Sequence, residues 1–158
     1  VLTPDDKGNL LYKQKPYVSS SYEEYGFTQA QLTDGKIGFV NGVHQGWCSQ
    51  IGSKTRDITE WVMFPLGDPI TVSKMIVYPC YDDEFVQDYH LEVSTDGETW
   101  TTVWSITGDD MHDGSARVLT FDPVEASFVR LVITKMGVGD PASAVGYKVQ
   151  IGEIELYR

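Results

Sequence analysis

The sequence predicts an all-β protein, an antiparallel sandwich of about eight short strands. Three observations carry this expectation. Residues 70–78 (Ile-Thr-Val-Ser-Lys-Met-Ile-Val-Tyr) and 86–94 (Val-Gln-Asp-Tyr-His-Leu-Glu-Val-Ser) alternate apolar and polar side chains over most of their length, the pattern of a strand with one buried face. Asp96-Gly97 falls between the second of these runs and residues 100–106, and Asp-Gly between two such runs is a strong hairpin signal. No stretch holds the helical period, while turn residues recur every 8–12 positions, as short antiparallel strands require.

The elements follow in order. Residues 1–14 are a polar, turn-rich lead-in, and 15–22 are β-prone, with Pro16 marking an edge position because it has no N–H to give a ladder. Residues 23–31 form an irregular loop carrying Tyr25 and Phe27. The stretch 32–38, Leu-Thr-Asp-Gly-Lys-Ile-Gly, is a turn, and a loop through Gly42 and Gly46 leads to Trp47-Cys48. After a polar loop at 52–59, Glu60-Trp61-Val62-Met63-Phe64-Pro65-Leu66-Gly67 reads as a short buried strand ended by turn residues. The runs 70–78, 86–94 and 100–106 are strands, 108–115 is a polar loop, and 116–121, 128–134 and 149–157 complete the sheets. A loop rich in glycine and small residues spans 137–147. There is no repeat, linker or low-complexity tract, so residues 1–158 are read as one domain.

Composition narrows the function. The chain has 158 residues and is 41% hydrophobic, enough to bury a core without metals or staples. Its net charge of −11 repels phosphate backbones and anionic lipid surfaces, so neither nucleic acid nor a membrane is an expected partner. No apolar run approaches 18 residues. No signal peptide is visible, and the abrupt start at Val1 reads as an excised domain or a mature product. The two cysteines, Cys48 and Cys80, and the scattered His44, His90 and His112 match no zinc spacing; the cysteines either stay as buried thiols or pair, which would need an oxidising compartment.

The Asp34 turn is a candidate cation site. Gly35 and Gly38 can take positive φ, which lets the backbone fold back and aim carbonyls inward, and Asp34 adds a carboxylate. Calcium takes six to eight oxygens of these kinds, so a second carboxylate must come from elsewhere; Glu153 or Glu155 near the far end of the chain could supply it. The plainer reading is a solvated Asp-Gly turn.

The ordered set Leu32-Thr33-Asp34-Gly35, Trp47, Glu60-Trp61-Val62 with Leu66-Gly67, Ile76-x-Tyr78-Pro79, Asp88-Tyr89-x-x-Glu92-Val93-Ser94-Thr95-Asp96-Gly97-x-x-Trp100, Phe128-Val129-Arg130-Leu131 and Glu153-Ile154-Glu155-Leu156 resembles the discoidin domains, also called coagulation factor V/VIII type C domains, whose bacterial branch includes the family 32 carbohydrate-binding modules. The resemblance spans about residues 15–157 and implies a jelly-roll-like, galactose-binding-domain-like sandwich. It implies a structural calcium ion held by Asp34, the carbonyls of Leu32 and Lys36, and Glu153. Trp47 lies thirteen residues after Asp34, further than in shorter family loops, so Asn41 and carbonyls near Gly46 are the candidates for the remaining ligand.

In galactose-binding relatives a His beside the first-loop Trp and an Arg after the Tyr-x-Pro strand hold the sugar. Those places here carry Cys48 and Cys80, which removes the galactose-type pair and implies that the two cysteines are neighbours joined by a disulfide. Neutral sugars bind by stacking a C–H face on an aromatic ring while polar side chains take the hydroxyls. Tyr25, Phe27, Trp47, Tyr81, Asp82 and Tyr147 are the candidate contacts, with Tyr22, Asp83 and Glu84 nearby. Each has a plainer reading: Trp47 as core or cavity wall, the loop aromatics as loop packing, and 81–84 as a solvated face. Trp61 and Trp100 sit inside strand patterns and are expected in the core; Arg130 is expected to neutralise a neighbour.

Three function classes compete. One is a non-catalytic, monomeric carbohydrate-binding module attached to a bacterial glycoside hydrolase, secreted, periplasmic or at the cell surface, with hexosaminidases and fucosidases as hosts by analogy. Its ligand would be a neutral or amino sugar. The second is the same fold packing against a catalytic domain without a sugar site. The third, an enzyme, lacks any visible set of nucleophile, base and orienting group, and Asp82-Asp83-Glu84 in a row do not make an acid/base pair.

Overall fold

The computed structural model describes residues 8–37, 39–40, 43–80, 86–109, 114–137 and 146–158. Among these are β1 (Tyr17–Val18), β2 (Phe39–Val40), β3 (Val43–His44), β4 (Trp47–Cys48), β5 (Glu60–Pro79), β6 (Asp88–Ser94), β7 (Thr101–Ile106), β8 (Arg117–Lys135) and β9 (Gln150–Tyr157), with a single 3-10 turn at Gln29–Thr33. All pairings are antiparallel, in the order β4-β9-β5-β8-β6-β7, with β1 on β5 and β2 paired to β3. The expected antiparallel sandwich is present.

Its construction differs from the expectation in one respect. The runs 60–67 and 70–78 are not separate strands but one, β5, and 116–121 and 128–134 are joined in β8. The turn residues between them bend the strand without ending it: β5 shifts register between Pro65 and Ile70 at the exposed Gly67-Asp68-Pro69, opposite Ser127, and again between Val72 and Lys74, where β8 carries the exposed Asp122-Pro123. Each long strand therefore serves both layers. The first part of β5 pairs with the end of β8, which continues to β6 and β7. The second part of β5 pairs with the start of β8 on one side and with β9, then β4, on the other.

The period-two pattern places Val62, Phe64, Val72, Met75, Val77, Leu91, Leu119, Leu131, Ile133, Ile154 and Leu156 in a single buried cluster between the layers. Trp61 and Trp100, expected in the core, are only half-buried. Val62 and Phe64 take the inward side of β5, which turns Trp61 outward. Trp100 lies edge-on to Phe128 with the Arg130 guanidinium 3.9 Å above its ring. Arg130 also neutralises Glu92, Nε to Oε1 2.5 Å, as expected of it.

The β6–β7 hairpin is closed by side-chain hydrogen bonding to its own backbone. Asp96 Oδ1 accepts from the N–H groups of Thr99 and Glu98, both at 2.8 Å, and from Ser94 Oγ. Those donors hold the Asp96 carboxyl well below its ordinary value, at about 2. A depressed carboxyl stabilises the fold above its unfolded value and loses that effect as pH falls toward the folded one. Asp96→Ala is therefore expected to lower the denaturation midpoint at neutral pH, with the gap from the parent narrowing between pH 4 and pH 2. Paired urea titrations across that range check it; a gap independent of pH would mean the carboxylate charge contributes nothing.

Candidate functional site

At one end of the sandwich the chain leaves β4, β5, β7 and β8 into long connections. Against this end the loop before the 3-10 turn is fastened on both sides. Tyr22 N–H donates to Cys48 O at 2.8 Å, and Thr28 N–H donates to Gly46 O at 3.1 Å. Gly46 itself sits at φ 137, and a Cβ there would overlap the Ile151 carbonyl oxygen, so only glycine lets the loop lie this close to β9. Its N–H donates to Gln31 Oε1 at 2.9 Å. Between the two fastenings, Phe27 N–H closes a turn on Glu24 O at 3.2 Å.

Tyr25 stands at the tip of that turn. It is 74% exposed, the most exposed large hydrophobic side chain among the described residues, and its backbone is left-handed at φ 58, a conformation that non-glycine residues seldom adopt. Exposed Glu23 and Glu24 precede it, and Tyr22 Oη donates to Glu24 Oε2 at 3.0 Å. That carboxylate raises the Tyr22 phenol above its ordinary pKa. The result is an outward aromatic face with carboxylates beside it, on a loop whose ends cannot drift.

The other expected contacts fall differently. Phe27 is 4% exposed; Trp47 is fully buried in the core, and its Nε1 donates to Ser20 O at 2.8 Å. Neither presents a ring face to solvent on which a ligand could stack. Tyr147 is half-buried against the core, with its N–H donating to Ser53 O at 2.9 Å. Tyr81, Asp82, Asp83, Glu84 and the metal candidate Asn41 lie outside the described residues.

The disulfide is a correction. Cys48 and Cys80 are both thiols in the structure. Cys48 Sγ donates to Ser49 O at 3.3 Å and Cys80 Sγ to Gln45 O at 3.4 Å. The physical reason is that each S–H is turned to a backbone carbonyl, that of Cys48 to its neighbour's and that of Cys80 to Gln45's, on the segment that leads into β4.

Asp34 and Glu153 are brought together. Gly35, at φ 79, turns its N–H onto Glu153 Oε2 at 2.6 Å, while Asp34 Oδ1 accepts from Lys36 N–H at 2.9 Å. Glu153 is 1% exposed, and its Oε1 has no hydrogen-bond partner. Burial pushes its carboxyl up to about 9; the Gly35 N–H pulls the other way, and Asp34 and Glu155 add to the rise. Leu32 is buried in the 3-10 turn beneath, and Lys36 is exposed beside it. No group of three His, Cys, Asp or Glu side chains gathers around a point among the described residues. The donors on hand are two carboxylates and backbone carbonyls, all oxygen, and a buried carboxylate oxygen without a partner fits a hard cation as a ligand.

Two groups that the reading of the sequence passed over are well defined. Glu60, buried at the start of β5, accepts from Ser19 Oγ at 2.7 Å and Ser20 Oγ at 2.5 Å, which fastens the β1 end of the loop. Arg117, Asp109 and Tyr89 form a buried network: Arg117 Nε and Tyr89 Oη both donate to Asp109 Oδ2, at 2.8 and 2.6 Å, and Arg117 also donates to Ser115 O. Period two could have found Arg117, since it shares the inward side of β8 with Leu119 and Phe121.

The F5/8 type C domain family matches residues 17–146. The chain belongs to that family. Among solved structures, the discoidin domain described here is similar to chitosan-binding module 1 of a chitosanase/glucanase from Paenibacillus sp. IK-5, with 25% identity, TM-score 0.69, and 95% of this chain and 98% of that one covered. Module 2 of the same enzyme, solved in complex with chitotriose, is 27% identical with TM-score 0.68, covering 95% and 100%. The module CpGH89CBM32-5 from Clostridium perfringens, solved with GalNAc-β-1,3-galactose, is 20% identical with TM-score 0.70, covering 91% and 94%, and shares the fold. No curated protein matches the chain. The first two are named chitosan-binding modules, and the fold agrees with the expectation drawn from the motifs.

Proposed function

We propose that this discoidin domain is a non-catalytic carbohydrate-binding module that holds an attached bacterial glycoside hydrolase, in a secreted, periplasmic or surface location, on glycan chains containing amino sugars. The observation that carries the reading is Tyr25, presented outward on a loop fastened at both ends, with Glu23 and Glu24 beside it. Stacking on the tyrosine ring takes the C–H face of a sugar, and the carboxylates favour a protonated amine over an acidic one. The charge of −11 favours the same class, and the relatives at 25% and 27% identity are chitosan-binding modules. Tyr147, Tyr81 and Asp82 are the further contacts that this reading proposes.

Calcium belongs to this reading as a structural ion. Asp34, Glu153, the carbonyls of Leu32 and Lys36, and Asn41 would hold it, and bound there it would neutralise two buried or half-buried carboxylates. The chain's own part is to fasten the turn at Gly35 to β9.

A glycan-array screen of the domain with calcium present, followed by calorimetry on chitotriose, tests the function. Tyr25→Ala removes about 1.5–3 kcal/mol of aromatic burial and is expected to weaken binding roughly ten- to a hundredfold, while Tyr25→Phe binds nearly as the parent does. An array without hits on folded protein would favour the alternative, a module packing against its own catalytic domain.

A further inference from the structure

The leg of chain that leads into the Tyr25 loop is organised around one carboxylate oxygen. Glu60 Oε1, at the start of β5, accepts from both Ser19 Oγ, at 2.7 Å, and Ser20 Oγ, at 2.5 Å. Each hydroxyl accepts in turn. Ser19 Oγ takes the Trp61 N–H of β5 at 2.8 Å, and Ser20 Oγ takes the Gln50 N–H beyond β4 at 2.9 Å. The backbone is tied at the same places: Ser19 N–H donates to Trp61 O at 2.9 Å, and Ser20 O accepts from Trp47 Nε1 at 2.8 Å. One atom of Glu60 thus joins β5, the end of β4 and the leg at 19–20. Just beyond, Tyr22 N–H reaches Cys48 O and the tip at 23–27 begins; the returning leg reaches Gly46 O through Thr28 N–H. Both legs stand on carbonyls of the β4 segment, and the leading one is held to β5 as well. Glu60 is 2% exposed and forms no ion pair among the described residues. A buried carboxylate without a cation is costly, so core stability alone gives no reason for one here.

We propose that Glu60 is a positioning residue for sugar binding: it touches no ligand, and through Ser19 and Ser20 it holds residues 19–22 so that Tyr25 is presented in one arrangement. The inference rests on the reading of Tyr25 as the sugar contact. A loop that must be ordered at the moment of binding costs affinity, and one ordered beforehand avoids that cost. Release of the leading leg from β5 lets the tip sample other arrangements while the returning leg stays bonded to Gly46 O. If the competent arrangement is then populated about a tenth of the time, the apparent affinity falls about tenfold. The node needs reach more than charge, because both hydroxyls use the same oxygen. Glutamine presents an acceptor oxygen at the same length of side chain, whereas aspartate, one methylene shorter, keeps the charge and loses the reach.

The test pairs nitrogen-15 heteronuclear Overhauser measurements on the sugar-free domain with calorimetry on chitotriose, for the parent, Glu60→Asp and Glu60→Gln. Glu60→Asp is expected to loosen residues 22–27, leave the Asp96 turn as rigid as before, and weaken chitotriose binding about tenfold. Glu60→Gln is expected to restore the loop and to bring the affinity back to within about twofold of the parent. Should Glu60→Asp not fold, Ser20→Ala, which removes one of the two hydroxyls, carries the same expectation at about threefold. A folded variant that loosens the loop yet binds as the parent does would overturn the positioning role, and so would a loop left as rigid as the parent's. A lower melting midpoint with unchanged affinity would make Glu60 a purely structural residue and would leave the proposed function standing. A parent that binds no chitotriose would overturn the amino-sugar reading and this inference with it.

Discussion

Arg117→Ala is expected to destabilise the domain by about 3–5 kcal/mol, the largest effect of any single substitution considered, because it strands the Asp109 carboxylate. Both partners are almost wholly buried, with side-chain exposures of 5% and 2%, so water cannot take over the lost bond. Tyr89 is tied to the same oxygen, and burial together with that bond already raises its phenol far above the ordinary value. At roughly 2–4 °C per kcal/mol for a domain of this size, the melting midpoint should fall by about 6–20 °C. The companion variant, Tyr89→Phe with Asp109→Leu and Arg117→Met, removes every member at once and should recover most of the loss. Scanning calorimetry on the two proteins decides it: equal, large destabilisation of both would locate the stability in the packing of these side chains and not in their charges.

The second large effect concerns the proposed cation. If the ion is present at a hundred times its dissociation constant, it stabilises by about 2.7 kcal/mol, so chelation should lower the midpoint by about 5–11 °C. Glu153→Gln keeps the shape and the acceptor for Gly35 N–H but removes the charge next to Asp34. That variant should melt at the same temperature with calcium as with chelator. A parent protein indifferent to chelator would leave Glu153 as a buried, protonated acid and remove calcium from the account.

How much of this was legible beforehand depends on the range of the interaction. Strands whose identity rests on alternating neighbours, such as 70–78 and 86–94, were readable, as was the Asp96-Gly97 hairpin, because each signal lies within a few residues. Gly67-Asp68-Pro69 was misread as a stop, since the same residues serve to end a strand or to bend one, and only the partner strand distinguishes them. The meeting of Asp34 with Glu153 follows from ordered motifs, not spacing, and Tyr25 is exposed on its loop. Cys48 and Cys80 show the limit: motif positions suggest a bridge, while the direction in which each sulfur turns depends on the carbonyls around it, which no local pattern displays. Phe27 failed for a simpler reason, since a loop aromatic reads alike whether it points out or in.

The two bent strands also fix a sequence of events. Glu60 pairs with Ile133 and Val77 with Arg117, so the second half of β5 finds no β8 partner until synthesis has passed residue 117, and the first half none until it nears residue 133. The β6–β7 hairpin, closed by its own short turn, can form well before that. Until then β5 is a long apolar ribbon with unpaired edges, and the charged and turn-forming residues at its bend, Gly67-Asp68-Pro69, interrupt what would otherwise be a template for pairing with a neighbouring chain.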